Sequence, residues 1–228
     1  MRVVTPPEAP DRRDQLKYHF DDTFLRRALT FTARLLFSLV AKMQVIGVEH
    51  LPASGAVVLA ANHQTNFDVF PMQFALPRLI FFMAKAELHR NPLMDAVLRQ
   101  LGSFPVERGS RDEWALCHAQ EVLEHGLVLG IFPEGTRGKG KGLRPAKTGA
   151  ARLALAMGCP IVPMAVVGTQ RMFHRFPKRT LVSITLGEPV FPQHAETALA
   201  LTDRLMFALA DLLPPDQRGV YAQHPFGF

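Results

Sequence analysis

The sequence predicts an α/β fold, a mixed and largely parallel sheet flanked by helices, with an amphipathic helical segment ahead of it. Three observations carry that expectation. Short apolar runs recur along the chain, too short for helices and mostly too uniformly apolar for strands with one wet face. Segments with apolar residues at three- and four-residue spacing separate these runs, and Gly or Pro stands at many of the junctions. A chain of 228 residues can bury one substantial core, and 48% hydrophobic against 20% charged residues is a globular balance.

Pro6, Pro7 and Pro10 make residues 1–19 a loose leader. Residues 20–43 read as a helix. Phe24, Ala28, Phe31, Leu35, Leu39 and Met43 recur at helical spacing, beside a polar stripe of Arg27, Thr30, Arg34, Ser38 and Lys42. Arg26, Arg27 and Arg34 interrupt it too often for a membrane span of ~20 residues. Two placements stay open for this helix, in a membrane interface or packed on the domain core. The chain thus divides into a leader and amphipathic helix over 1–45, membrane-associating in the first of these placements, and one further domain over 46–228.

After Gly47 the elements alternate. Residues 56–61 read as a buried strand, 67–76 as a short helix, 79–84 as a strand, 92–101 as a helix closed by Gly102, and 104–107 as a short strand. Ser110 with Glu113 gives a capping-box pattern for a helix that ends before Gly126. Residues 127–132 read as a strand, 148–157 as a helix stopped by Gly158, and 161–167 as a strand. Residues 181–186 alternate like a strand, and 196–213 form a helix ended by Pro214 and Pro215. From Asp216 onward the sequence assigns no element.

Chemistry gathers behind these strands. The first block, from Asn62 and His63 to Asp68, follows the run 56–61. An imidazole titrates near neutral pH, and a carboxylate that fixes its tautomer lets it take a proton from an alcohol. Five residues make ~500° of helix, so the two side chains meet only if His63 lies on the loop leaving the strand and Asp68 begins the next helix. The carboxyl end of a strand is where α/β sheets place their sites. Alone, the pair is read more simply as a surface histidine and a helix cap.

The second block is Phe132-Pro133-Glu134-Gly135-Thr136-Arg137, where Gly135 permits a tight turn, Thr136 adds a hydroxyl and Arg137 offers a fork suited to phosphate. The third runs from Gly102 to Arg108, and the fourth is the apolar run 161–166 with Val162-Pro163. The net charge of +6 favours anionic partners, and it is concentrated: ten basic residues against one acid lie between Glu134 and Arg179. Several classes are disfavoured. Gly142 stands where a P-loop needs Ser or Thr, no Gly-x-Ser-x-Gly elbow occurs, and the histidines lack metal-ligand spacing. Cys117 and Cys159 read as reduced packing residues of a cytosolic protein.

Taken together, the four blocks resemble the glycerolipid acyltransferase family, specifically 1-acyl-sn-glycerol-3-phosphate acyltransferases. The matches are Asn62-His63…Asp68, Gly102…Arg108, Phe132 to Arg137 and Val162-Pro163, with Lys147-Thr148-Gly149-Ala150 similar to a further family segment. Gly138 stands where a serine is common, and Ala146 where an aromatic is common. The resemblance implies His63 as general base oriented by Asp68, and Arg108 and Arg137 as phosphate ligands. It assigns substrate contacts to Asn62, Glu134, Gly135, Thr136 and Lys147, with Glu134 ordering the arginines or the glycerol backbone rather than moving protons. Backbone amides near Gly135 or Asn62 are candidates for the oxyanion. It implies no cofactor or metal, acyl-CoA or acyl carrier protein as co-substrate, lysophosphatidate as acceptor, and an anionic membrane surface on the cytoplasmic side of the cell membrane as partner. Glycerol-3-phosphate or another lyso-lipid is the alternative acceptor. Nucleic acid is not expected, because the basic stretch lacks interleaved aromatics and a recognition motif.

Overall fold

The computed structural model describes residues 11–16, 18, 20–107, 112–138, 140–174 and 176–224. Along the chain run α1 (Phe24–Val40), β1 (Ala41–Ile46), β2 (Val57–Ala61), α2 (Val69–Ala75), β3 (Ile80–Lys85), α3 (Pro92–Gln100) and β4 (Ser103–Val106). Then come α4 (Glu113–Glu124), β5 (Val128–Ile131), α5 (Gly149–Met157), β6 (Ile161–Val167), β7 (Thr180–Leu186) and α6 (Ala198–Asp211). The strands form one seven-stranded sheet in the order β1-β7-β6-β2-β5-β3-β4. Every pairing is parallel except β6 with β7.

The central strand explains the layering. Successive side chains of a strand point to opposite faces. Val57, Leu59 and Ala61 of β2 join the core cluster that includes Phe37, Met72 and Phe74 of α1 and α2. Val58 and Ala60 join the opposite cluster, with α4 and α5. All five residues of β2 are buried, as a strand covered on both faces requires. β7 is covered less evenly, and its burial alternates through Val182, Ile184 and Leu186.

The segment before Gly47 differs from the sequence reading. The helix stops at Val40 and residues 41–46 become β1, parallel to β7 from Ala41↔Thr180 to Ile46↔Thr185. Ala41, Met43 and Val45 turn inward, while Lys42, Gln44 and Ile46 face out. That period of two is masked in the sequence by the helical spacing of Leu35, Leu39 and Met43. The expected boundary after residue 45 falls inside this strand. Arg26, one of the three arginines that interrupt the apolar arc, faces inward. It is buried, with Nε donating to the Gln100 carbonyl at 2.6 Å and Nη1 to that of Asp21 at 2.7 Å.

Part of the leader is tied down. Arg13 forks onto Asp112 at 2.6 and 2.9 Å, and Trp114 Nε1 donates to Asp14 at 2.7 Å. Asp112, not Ser110, caps α4 by accepting from Ala115 N; Ser110 lies outside the described residues. The tail also has a place. Tyr221 Oη accepts from Ala146 N at 3.1 Å, and the turn at Gly219 lies so close to Leu143 that a Cβ there would sit 2.1 Å from its carbonyl oxygen.

Topology then positions the site. β2, β5 and β6 are mutually parallel and end at one edge, so the loops after Ala61, Ile131 and Val167 converge there. On the far side of β5, α4 carries His118 into a box of Tyr18, Phe20, Phe104 and Trp114 rings, with centroids 4.7 to 5.5 Å away. Burial lowers this imidazole from 6.5 to about 4, although the half-exposed Glu121 lies 3.2 Å from its Nδ1. The unfolded chain takes up this proton near pH 6.5 and the fold only near 4, so stability falls as pH drops through that interval. We expect a loss of up to about 3 kcal/mol there, less what Glu121 returns. Urea denaturation of wild type and His118→Phe across that interval should differ in slope by this contribution.

Candidate active site

The loop after β2 is built around Asp68. Its carboxylate has no exposed surface. Oδ2 accepts from Gln64 N at 2.6 Å, Thr65 N at 2.8 Å and His63 Nδ1 at 2.9 Å. Oδ1 accepts from the hydroxyls of Thr65 at 3.2 Å and of Thr169, in the loop after β6. With Thr65 as cap and Asp68 closing a capping box, residues 63–68 curl into a turn that brings the two side chains together. His63 is 12% exposed and stacks on Phe132 at 4.0 Å and 18°. Because Nδ1 faces a carboxylate, the proton sits on Nδ1 and Nε2 keeps its lone pair.

Asn62 does not offer its side chain to a substrate. It is fully buried, with Nδ2 donating to the Val166 carbonyl at 2.9 Å and Oδ1 accepting from Val166 N at 2.7 Å. The amide continues the β2–β6 ladder one residue past the strand and so fixes where His63 begins.

Glu134 is likewise internal. Oε1 accepts from His63 N at 2.8 Å and Oε2 from Arg144 N at 3.0 Å. Burial pushes its carboxyl above the usual range, and those two amides oppose the shift. It orders the backbones of the histidine loop and of Arg144. Two further contacts fold the same segment back: Gly138 N donates to the His63 carbonyl at 2.7 Å, and Gly140 N to Gln64 Oε1 at 2.8 Å.

The exposed part of the block is Gly135, Thr136 and Arg137. Gly135 holds φ 65° and lets Lys147 pass, since a Cβ there would sit 3.1 Å from Lys147 Cε. Its amide is taken by the Phe132 carbonyl at 3.0 Å and is not available to an oxyanion. Arg137 Nη1 donates to Asn66 Oδ1 at 3.0 Å, which holds the guanidinium over the histidine loop. Arg108 lies outside the described residues. In sequence it comes after β4, which is separated from β5 by β3. Sequence reasoning missed Thr169, whose only signal is a hydroxyl residue behind Gly168 at the end of a strand. Among the described residues, no group of three or more His, Cys, Asp or Glu comes together to hold a metal ion.

A buried carboxylate paired with an imidazole behind a central strand is suited to moving a proton, and the comparisons give the family. Residues 42–167 match the model of the acyltransferase family. The chain belongs to that family. It is 32% identical over 158 residues to the 1-acyl-sn-glycerol-3-phosphate acyltransferase of Bacillus subtilis, covering 69% of this chain and 78% of that one. The corresponding protein of Borreliella burgdorferi is 35% identical over 136 residues, where the match spans 58% of this chain and 54% of the relative. A crystal structure of the 1-acyl-sn-glycerophosphate acyltransferase PlsC from Thermotoga maritima shares the fold, with a TM-score of 0.66 at 24% identity, over 82% of this chain and 79% of that one. The family's α/β architecture therefore holds for this chain.

Thr169→Val removes one charged-group hydrogen bond from Asp68. We expect it to cost about 1.5–3 kcal/mol of stability and to slow acyl transfer. Urea melts and turnover measured side by side check this; a variant unchanged in both would remove Thr169 from the site.

Proposed function

We propose that this chain transfers a fatty acyl group from an acyl thioester to the sn-2 hydroxyl of 1-acyl-sn-glycerol-3-phosphate, giving phosphatidic acid. The observation that carries the reading is the buried Asp68 on His63 Nδ1, which leaves Nε2 as base. Nε2 takes the hydroxyl proton while that oxygen attacks the thioester carbonyl. Collapse of the tetrahedral intermediate breaks the C–S bond, and the imidazolium returns its proton to the leaving thiolate. Asp68, held by two backbone amides and two hydroxyls besides the ring, stabilises that cation. Base catalysis of this kind contributes ~10²–10⁴-fold, so positioning supplies much of the rest.

The acceptor's phosphate is assigned to Arg137 and Arg108, with Lys147 beside Gly135 completing the cationic side. Relatives named for this acceptor support the acceptor itself. The donor is acyl-CoA or acyl carrier protein, and both present the same thioester to His63. Asn62 and Glu134 act on the substrate only through the His63 loop.

The acceptor resides in a bilayer, and α1 is suited to reach one. Phe24, Leu25, Phe31, Leu35, Leu36 and Leu39 are all exposed, while Phe37 faces the core. Arg27 and Arg34 are exposed beside the apolar face and would meet anionic headgroups. Among the described residues, no helix is long and apolar enough to cross a membrane. In this reading one face of the helix packs on the domain and the other turns toward lipid. Deletion of residues 1–45 would remove most of β1, so point substitution is the sound test.

A donor-by-acceptor matrix with purified protein checks the chemistry. Acylation of lysophosphatidate with a loss of ~10²–10⁴-fold in His63→Ala is expected; full rate in that variant would overturn the mechanism. Arg137→Ala should raise KM for the phosphate-bearing acceptor more than it lowers kcat. Phe31→Ser/Leu35→Ser should weaken flotation with anionic liposomes, and undiminished binding would sink the membrane reading.

A further inference from the structure

The loop between β6 and β7, residues 168–179, carries features that catalysis leaves unused. It holds Arg171, Arg175, Lys178 and Arg179 and no acidic residue; Arg175 lies outside the described residues. Phe173 is 49% exposed and Phe176 is 69% exposed. Phe173 also holds φ 67°, a left-handed backbone that a side chain of that bulk adopts only where its surroundings enforce it. Exposed phenyl rings among cations gain little from water. At the boundary of an anionic bilayer the same set is stabilised, because rings enter the acyl region and cations meet headgroups.

The loop's position gives those rings a destination. At its base Thr169 donates to Asp68, and the Phe173 ring lies 5.5 Å from Phe67, the residue before Asp68. At its other end Arg179 Nη1 donates to the Ser38 carbonyl of α1 at 3.4 Å. β7 starts opposite the first residue of β1, Thr180↔Ala41, so the loop abuts the last turn of α1 at the edge where His63 sits. The exposed Leu35 and Leu39 of α1 flank this junction. The apolar surface therefore continues from α1 toward the rim of the site.

We propose that the β6–β7 loop is a second membrane-contacting element, in which Phe173 and Phe176 enter the interface of an anionic bilayer beside His63 while Arg171, Lys178 and Arg179 meet its headgroups. This rests on the membrane-facing reading of α1 and adds that the rim of the site itself touches lipid. A lipid acceptor then moves from the bilayer to His63 along Phe173 and Phe67 without crossing bulk water.

The test places a reporter on the loop of the full chain. In Phe176→Trp, with Trp114 as a fixed buried background, emission should shift to the blue on vesicles of equal parts phosphatidylglycerol and phosphatidylcholine, and much less on phosphatidylcholine alone. Phe176→Ser/Lys178→Gln should lower the vesicle-bound fraction, and the rate on vesicle-borne lysophosphatidate, by about tenfold. The same variant should stay within about twofold of wild type when the acceptor is dispersed as monomers. An absent shift together with unchanged vesicle binding overturns the proposal. If Phe31→Ser/Leu35→Ser still lowers binding, only the loop's part falls; if that variant also binds fully, the reading of α1 falls too. A loss confined to reactions with an acyl carrier protein donor, with vesicle binding intact, makes the loop a docking site for an acidic protein and likewise overturns it.

Discussion

Asp68 is the constraint around which the rest of the site is arranged. A carboxylate without exposed surface must be matched by donors, because an uncompensated buried charge is strongly destabilising. This one collects them from residues that follow β2 and from Thr169, which follows β6. The two strand ends must therefore lie side by side and finish at one level. The Asn62 amide on Val166 enforces the same register one layer deeper. The geometry that orients His63 and the geometry that pairs the central strands are one requirement.

Glu134 extends this to β5, with fewer donors around its carboxylate. Asp68 is surrounded by donors that suit a charge, whereas Glu134 has two backbone amides and a burial cost that raises its carboxyl. Its two oxygens span the His63 and Arg144 backbones. The chain end then closes over this arrangement, with the Gln217 carbonyl accepting from Leu143 N at 3.0 Å and Tyr221 accepting from Ala146 N. A turn that carries exposed glycine and cations is thus held from beneath by a carboxylate and from the side by the tail.

Much of this was legible in the sequence, for identifiable reasons. β2, β5 and β6 are covered on both faces, so their uniform apolarity was unambiguous, and the blocks behind β2 and β5 had to share an edge. β1 was hidden because Leu35, Leu39 and Met43 mimic helical spacing across a helix-to-strand junction. The cap of α4 was misread because Ser110 and Glu113 satisfy a spacing that Asp112 fulfils in space. At the site, residue types pointed to chemistry but not to direction. Asn62 and Glu134 are polar residues in a catalytic block whose hydrogen bonds all run inward, and only the partners Val166 and Arg144 show it. Thr169 was missed because its role depends on a contact with a residue 101 positions away.

One connection has a mechanical meaning. α1 passes into β1 at Val40 and Ala41 with no linker, and β1 begins at the edge of the sheet where His63 lies. A hinge has no place to form between them. A displacement of the helix is passed toward the imidazole through the hydrogen-bonded strands β1, β7, β6 and β2. On the proposed membrane reading the imidazole would keep a fixed altitude over the bilayer, and reaching it would be a task left to the substrate.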